Sequence, residues 1–334
     1  MLAFRRGFMK FSVRQRSVGC LQGVAVGDAM GKMVEGYRPE EIVRTYGGPI
    51  TRFREPIQPR STFKWGYAEV TDDTRFTLLI ARSIISKGKV DSEDIMKRIM
   101  RHPIKGWPRW REFCKVMHDG EKARMNFVST ADRNGAPMRV SPIGIVNKPE
   151  NIEKIVLDVE SACKMTHYAK SALSAACAMA TAISAAIEGW SKQGIIEVAI
   201  KASELGEKLG VEDGNPKVSH RIKLGIETVK KNAGADLASF LYHEFNLPGF
   251  KAWEGVPYAL SMVYGLANAK DVILGIVNQG GDADSVASMA GGLSTAMSPN
   301  TLPREWVGTV ERENNLNLSK TALKLLELRE KSEI

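Results

Sequence analysis

Residues 168–188, YAKSALSAACAMATAISAAIE, constrain the fold more than any other stretch of the chain. Nearly half of them are alanine, and no charged side chain interrupts 171–187. Alanine is the strongest helix former and lets neighbouring helices come close, and Gly189 supplies a stop. The uncharged run is shorter than the about 20 residues of a bilayer-spanning helix. It reads as a central buried helix of a globular protein, and a chain of 334 residues can enclose such a helix in a sizeable core.

Other helix signals surround it. The segment 75–86, RFTLLIARSIIS, is apolar with a helical period and ends at Lys87-Gly88; 91–101 opens on acidic residues that suit a helix N-terminus. Further helices are predicted at 152–164, 194–209, 218–232, 236–244, 256–266, 270–278, 285–297 and 318–331. No alternating β pattern and no strand–helix rhythm appears. The Pro- and Gly-bearing segments 46–66 and 102–110 read as surface loops. With 43% apolar and 25% charged residues, disorder and fibrous repeats are excluded. The reading is one all-α domain over 17–334.

The net charge of +9 is partly local: Arg5, Arg6, Lys10, Arg14 and Arg16 precede the first acidic residue, Asp28. Residues 1–16 are expected to be a basic, frayed extension, with nucleic-acid contact the weaker reading and no membrane contact expected. No apolar leader core is present, and the four cysteines, at 20, 114, 163 and 177, have neither disulfide-scaffold nor metal-ligand spacing. A cytoplasmic location is the expectation.

Two acidic clusters carry the chemistry. Thr71-Asp72-Asp73-Thr74 immediately precedes one apolar helix, and Gly280-Gly281-Asp282-Ala283-Asp284-Ser285 precedes another. Capping accounts for one such side chain at a helix start. Two carboxylates with a hydroxyl also form a hard-oxygen set suited to Mg²⁺ or Mn²⁺. Gly280-Gly281 allows a tight turn and close approach of a ligand. Both readings of each cluster stay open on spacing alone.

The pieces G-D-A-M-G at 27–31 with Glu35, T-D-D-T at 71–74, N-G-A-P-M-R-V-S-P-I-G at 134–144, T-H at 166–167 and G-G-D-A-D-S at 280–285 occur in this order. Together they resemble the signature of the ADP-ribosylglycohydrolase family over about residues 17–300. The resemblance implies a compact, orthogonally packed all-α bundle around two divalent cations, Mg²⁺ or Mn²⁺. Thr71, Asp72 and Asp73 would bind from one side, and Asp282, Asp284 and Ser285 from the other, with Asp284 reaching both ions. The implied reaction is hydrolysis of the C1″ ribosyl bond of an ADP-ribosylated protein side chain or small molecule.

Such a bond breaks through an oxocarbenium-like state. A paired-metal site can fix the 2″ and 3″ ribose hydroxyls and polarise a water, whose proton a carboxylate takes. Asp72 and Asp73 are candidates for orienting that water. Glu35, which aligns with a gating glutamate in part of the family, is a second candidate and equally reads as a solvated helix-end charge. Asn134, Gly135, Ala136 and Met138 lie on the loop that resembles the one near ribose and diphosphate, Asp132 just precedes it, and His167 is expected to face the diphosphate or distal ribose. Gly281 is expected to lie close to the ligand. Asp28 reads as a support or cap, and Arg139 as one partner of a salt bridge holding the loop.

The chain departs from the family pattern at Ser285, where Thr is usual, at Arg75, and at Arg133, which replaces a glycine before Asn134. Trp65 and Tyr67 are expected at the pocket mouth or in core packing. These departures touch the substrate more than the metal chemistry. A nucleosidase of the same fold and a non-catalytic ADP-ribose-binding protein are the alternatives.

Overall fold

The computed structural model describes residues 11–58, 61–232, 236–244, 249–266 and 268–331. Among these the chain forms seventeen α-helices: α1 (Val13–Lys32), α2 (Pro39–Tyr46), α3 (Asp72–Lys87), α4 (Ser92–Arg101), α5 (Trp110–His118), α6 (Glu121–Ser129), α7 (Ser141–Val146), α8 (Ile152–Cys163), α9 (Lys170–Ile187), α10 (Lys192–Gly206), α11 (Val218–Lys231), α12 (Leu237–Glu244), α13 (Ala252–Gly265), α14 (Ala269–Val277), α15 (Ala283–Met297), α16 (Arg304–Glu313) and α17 (Leu318–Lys331). No strand occurs among the described residues, only two isolated β-bridges. The all-α expectation holds.

Eleven of the seventeen coincide with the segments that the sequence predicts; α1, α2, α5, α6, α7 and α16 are additional. The omission of α1 has a physical reason. Its glycines at 19, 23, 27 and 31 look like breakers, since each costs about 1 kcal/mol against alanine in a helix. Burial runs almost all round it, so no amphipathic stripe is visible. The four glycines instead form one row at helical spacing. That row lies against Ala283, Ala287, Gly291 and Thr295 of α15, and a Cβ at Gly23, Gly27 or Gly31 would collide with α15 backbone. The two helices therefore touch main chain to main chain, in the most extensive helix–helix contact among the described residues.

The central helix α9 is enclosed as expected, packed by α7, α8, α10, α13 and α15. At 18 residues and with its apolar composition, it does reach the lower limit of a membrane span. Enclosure by other helices, with 94% of it buried, is what identifies it as core.

Residues 13–16, expected to be part of a frayed extension, belong to α1 instead. Ser12 caps α1 in a reciprocal box with Gln15. Arg16 is buried, donating to the carbonyl oxygens of Ala186 at 3.3 Å, Ala296 at 2.9 Å and Met297 at 2.7 Å. Its cation thus meets the negative ends of α9 and α15. Residues 1–10 lie outside the described residues. All four cysteines are free.

Candidate functional site

At the start of α3, capping falls to residues other than the two carboxylates in question. Thr71 Oγ1 accepts from Asp73 N at 3.2 Å. The buried Asp28 of α1 accepts from Thr71 N at 3.0 and 3.1 Å, from Thr74 N at 3.0 Å and from Thr74 Oγ1 at 2.5 Å. Asp28 is therefore the support that the sequence suggests. Asp72 and Asp73 are left over. Asp73 Oδ2 accepts from Thr71 Oγ1 at 3.1 Å, whereas its Oδ1 is buried with no partner.

The α1–α15 seam carries the second cluster to the same place. Ser285 Oγ lies 3.5 Å from Asp73 Oδ2, across 212 residues of chain. Oxygens of Glu35, Asp282 and Asp284 fall within 4.8 Å of one another. Asp282 Oδ2 is held by Asn134 Nδ2 at 2.7 Å, and Asp284 Oδ1 accepts from Ser285 N at 3.0 Å. Asp72, Asp73, Asp282, Asp284, Ser285 and Glu35 all face one cavity of about 680 Å³. Thr71 is buried beside Asp73, to which its hydroxyl donates.

So many acids resist ionisation together. Burial, then repulsion from Asp284 and Asp28, pushes the Asp72 carboxyl up to about 8. Burial and Asp284 raise Glu35 to about 7. Burial raises Asp73 and Asp282 well above the usual carboxylate range, with repulsion from their neighbours added. An oxygen-only donor set with an orphaned buried carboxylate oxygen fits a hard divalent cation. Because these pKa values are raised in the folded state, their stabilising contribution is complete below pH 4 and is lost as pH rises through 7 and 8. The cation-free protein is expected to lose on the order of 5 °C in Tm between pH 6 and pH 8.5. Millimolar Mg²⁺ should flatten that slope; calorimetry in EDTA and in Mg²⁺ checks it.

Arginines and aromatics line much of the rest of the cavity wall. Asn134 is locked by Asp282 and by the Gly249 carbonyl at 2.7 Å. Gly135 leaves room for the His167 ring, which a Cβ would strike. His167 stays neutral: burial, with Arg139 and Arg109 nearby, holds its pKa well below the ordinary value. Met138 lines the cavity and accepts from Ser285 Oγ at 3.8 Å.

Several expectations change here. Ala136 is fully buried and does not reach the cavity wall. Gly281 is also off the wall; it accepts from Gly36 N and donates to Tyr37 O, so the close approach at this turn is by backbone. Asp132 lines the cavity but is tied to Lys251 Nζ at 2.5 Å and Asn215 Nδ2 at 3.2 Å. Arg139 makes no ion pair among the described residues; it donates to Thr166 Oγ1 and lies 5.0 Å over the Phe76 ring. Tyr67 packs on Phe53, and neither it nor Trp65 lines the cavity. Phe63, Trp107, Phe127 and Phe250 do, with Arg109 and Arg133 beside them. Most of these sit in segments without helical period, where sequence patterning is silent. Lys32, buried against Glu35 and Asp284, was also not singled out by the motifs.

Comparison with known proteins matches a family model described as ADP-ribosylglycohydrolase to residues 9–333. An uncharacterized Escherichia coli protein, YegU, is 27% identical over 96% of this chain and 98% of its own. The ADP-ribosyl-dinitrogen reductase glycohydrolase of Rhodospirillum rubrum is 26% identical over 90% and 94%. A solved structure described as an ADP-ribosylglycohydrolase-related protein complex superposes with a TM-score of 0.65 at 23% identity, covering 95% of this chain and 99% of that one.

Proposed function

Because the chain belongs to the ADP-ribosylglycohydrolase family, and is thus a hydrolase of glycosyl bonds, we propose that it cleaves the C1″ ribosyl bond of an ADP-ribosylated protein side chain or small molecule, with two divalent cations, Mg²⁺ or Mn²⁺, at the carboxylate cluster. The observation that carries this reading is the convergence of Asp73, whose buried Oδ1 has no partner, with Glu35, Asp282 and Asp284 on one cavity. Thr71, Asp72, Asp73, Asp282, Asp284 and Ser285 would hold the cations. When bound, these supply charge neutralisation, a grip on the vicinal ribose hydroxyls and polarisation of water.

The protein's own groups supply the rest. Asp28 fixes the start of α3, so that the Asp72 and Asp73 carboxylates project into the cavity at a set angle. Asp72, Asp73 and Glu35, which line the cavity, would be the proton acceptors for the attacking water. Asn134 orients Asp282. Neutral His167 offers a hydrogen bond without adding charge, while Arg109 and Arg133 line the wall where the diphosphate would lie. A cavity of about 680 Å³ with these basic and aromatic side chains on its wall favours a nucleoside-diphosphate sugar over a bare nucleoside, which would leave much of it unfilled.

A panel of ADP-ribosyl-arginine, ADP-ribosyl-serine, ADP-ribose-1″-phosphate and nucleosides, with Mg²⁺ or Mn²⁺, tests the proposal. ADP-ribose release that excess EDTA abolishes is expected. Release of free base alone would establish the nucleosidase instead, and tight ADP-ribose binding without any turnover would establish the binding protein.

A further inference from the structure

The carboxylate cluster is not symmetrical in its counter-charge. No ammonium or guanidinium is ion-paired with Asp72 or Asp73 among the described residues, and Asp73 Oδ1 has no hydrogen-bond partner. Around Glu35, Asp282 and Asp284 one is already present. Lys32, on the last turn of α1, is 6% exposed; its ammonium forms an ion pair with Glu35 and lies 3.7 Å from Asp284 Oδ2. The same nitrogen sits 4.6 Å from the centroid of the Trp65 ring. On the far side of the carboxylates the vacancy is one of charge; on the Glu35 side a tethered cation fills it.

We propose that Lys32 is a built-in competitor for the second divalent cation, so that the two halves of the site fill sequentially and with unequal affinity. The Asp73 half takes its cation without displacing anything. The Glu35 half takes one only when the Lys32 ammonium leaves Glu35 and Asp284, because both cations need the same oxygens. Displacement needs no backbone movement. The four-carbon stem of lysine is flexible, and the indole face of Trp65 already lies beside the ammonium as a place for it to remain partly compensated. The last turn of α1 itself is pinned by the seam with α15, so the side chain alone moves. The inference rests on the metal-dependent reading above and deepens it.

The test is a Mn²⁺ titration of the full chain at fixed pH without substrate, followed by calorimetry and by the electron paramagnetic resonance of free Mn²⁺. The wild type is expected to bind two ions in resolved steps. Lys32→Met should tighten the weaker step about 10-fold or more and the tighter step by no more than about 3-fold, closing the gap between them. Lys105→Met serves as the control: its ammonium lies on the same Trp65 ring at 4.6 Å but pairs with Glu69, so its loss should move both steps equally and little. Lys32→Gln gives a second, polar replacement should the methionine variant fold poorly. An unchanged gap, or a weakened second step, in both Lys32 variants overturns the inference and leaves the metal-dependent reading standing. No Mn²⁺ binding by any of the proteins overturns both.

Discussion

Asp284→Asn is expected to lower turnover by about 10³-fold or more while leaving the helical fold intact. Its carboxylate faces Lys32 and shares a 4.8 Å cluster with Glu35 and Asp282, so its charge is central to holding any cation there. A loss of about 4 kcal/mol of transition-state stabilisation, typical for removing a preorganised electrostatic group, corresponds to that factor. The stability effect should have the opposite sign to the catalytic one. Burial raises the Asp284 pKa, opposed in part by the Lys32 ammonium and reinforced by Asp28, so in the cation-free protein a neutral amide relieves a net cost. Metal-free Asp284→Asn should melt no lower than metal-free wild type, and the Tm gain on adding Mn²⁺ should disappear. Turnover within about 10-fold of wild type, or a retained Mn²⁺ shift, defeats the assignment.

Gly27→Ala is the largest expected effect on stability. By helix propensity alone the change should stabilise by about 1 kcal/mol. The seam decides otherwise. An added Cβ meets the Ala287 carbonyl and the Ser288 amide, which are backbone atoms of α15 and cannot rotate away. Overpacking of this kind costs about 3 kcal/mol or more, so the net is loss, seen as a Tm drop of about 5 °C in a domain of this size. Gly308, where a Cβ meets nothing within 4 Å, provides the comparison: Gly308→Ala should match or exceed wild type. Thermal melts of the two variants measure the difference, and equal stability would show that the helices are free to separate.

The legibility of the fold follows from where its elements lie. The helices α3 and α4 have one buried face and one wet face, so their period shows in the sequence. The alanine run of α9 shows by composition. In α1 the decisive feature is a row of absent side chains, and absence has no hydropathy period. The short α5 and α6 lie in a part of the chain without a long periodic run. The site divides in the same way. Its acidic groups stand in compact, ordered motifs, and the expected meeting of the groups near 72 and 284 is visible as the Ser285–Asp73 contact. Lys32 acquires meaning only from Asp284, some 250 residues away in the chain. The actual wall of aromatics, Phe63, Trp107, Phe127 and Phe250, comes from segments whose sequence announces no structure. Arg139 reads as one half of an ion pair because charge is what a sequence displays; its burial against Phe76 is a three-dimensional fact.

The glycine row has a consequence for how this enzyme can diversify. Asp282, Asp284 and Ser285 are bolted to the start of α15, whose main chain touches that of α1, so a Cβ added to the seam glycines is punished. Other residues of the cavity wall, such as Phe63, Arg109, Arg133 and Phe250, hang from connecting segments with no share in that contact. The wall of the cavity can therefore vary while the carboxylate cluster is inherited untouched.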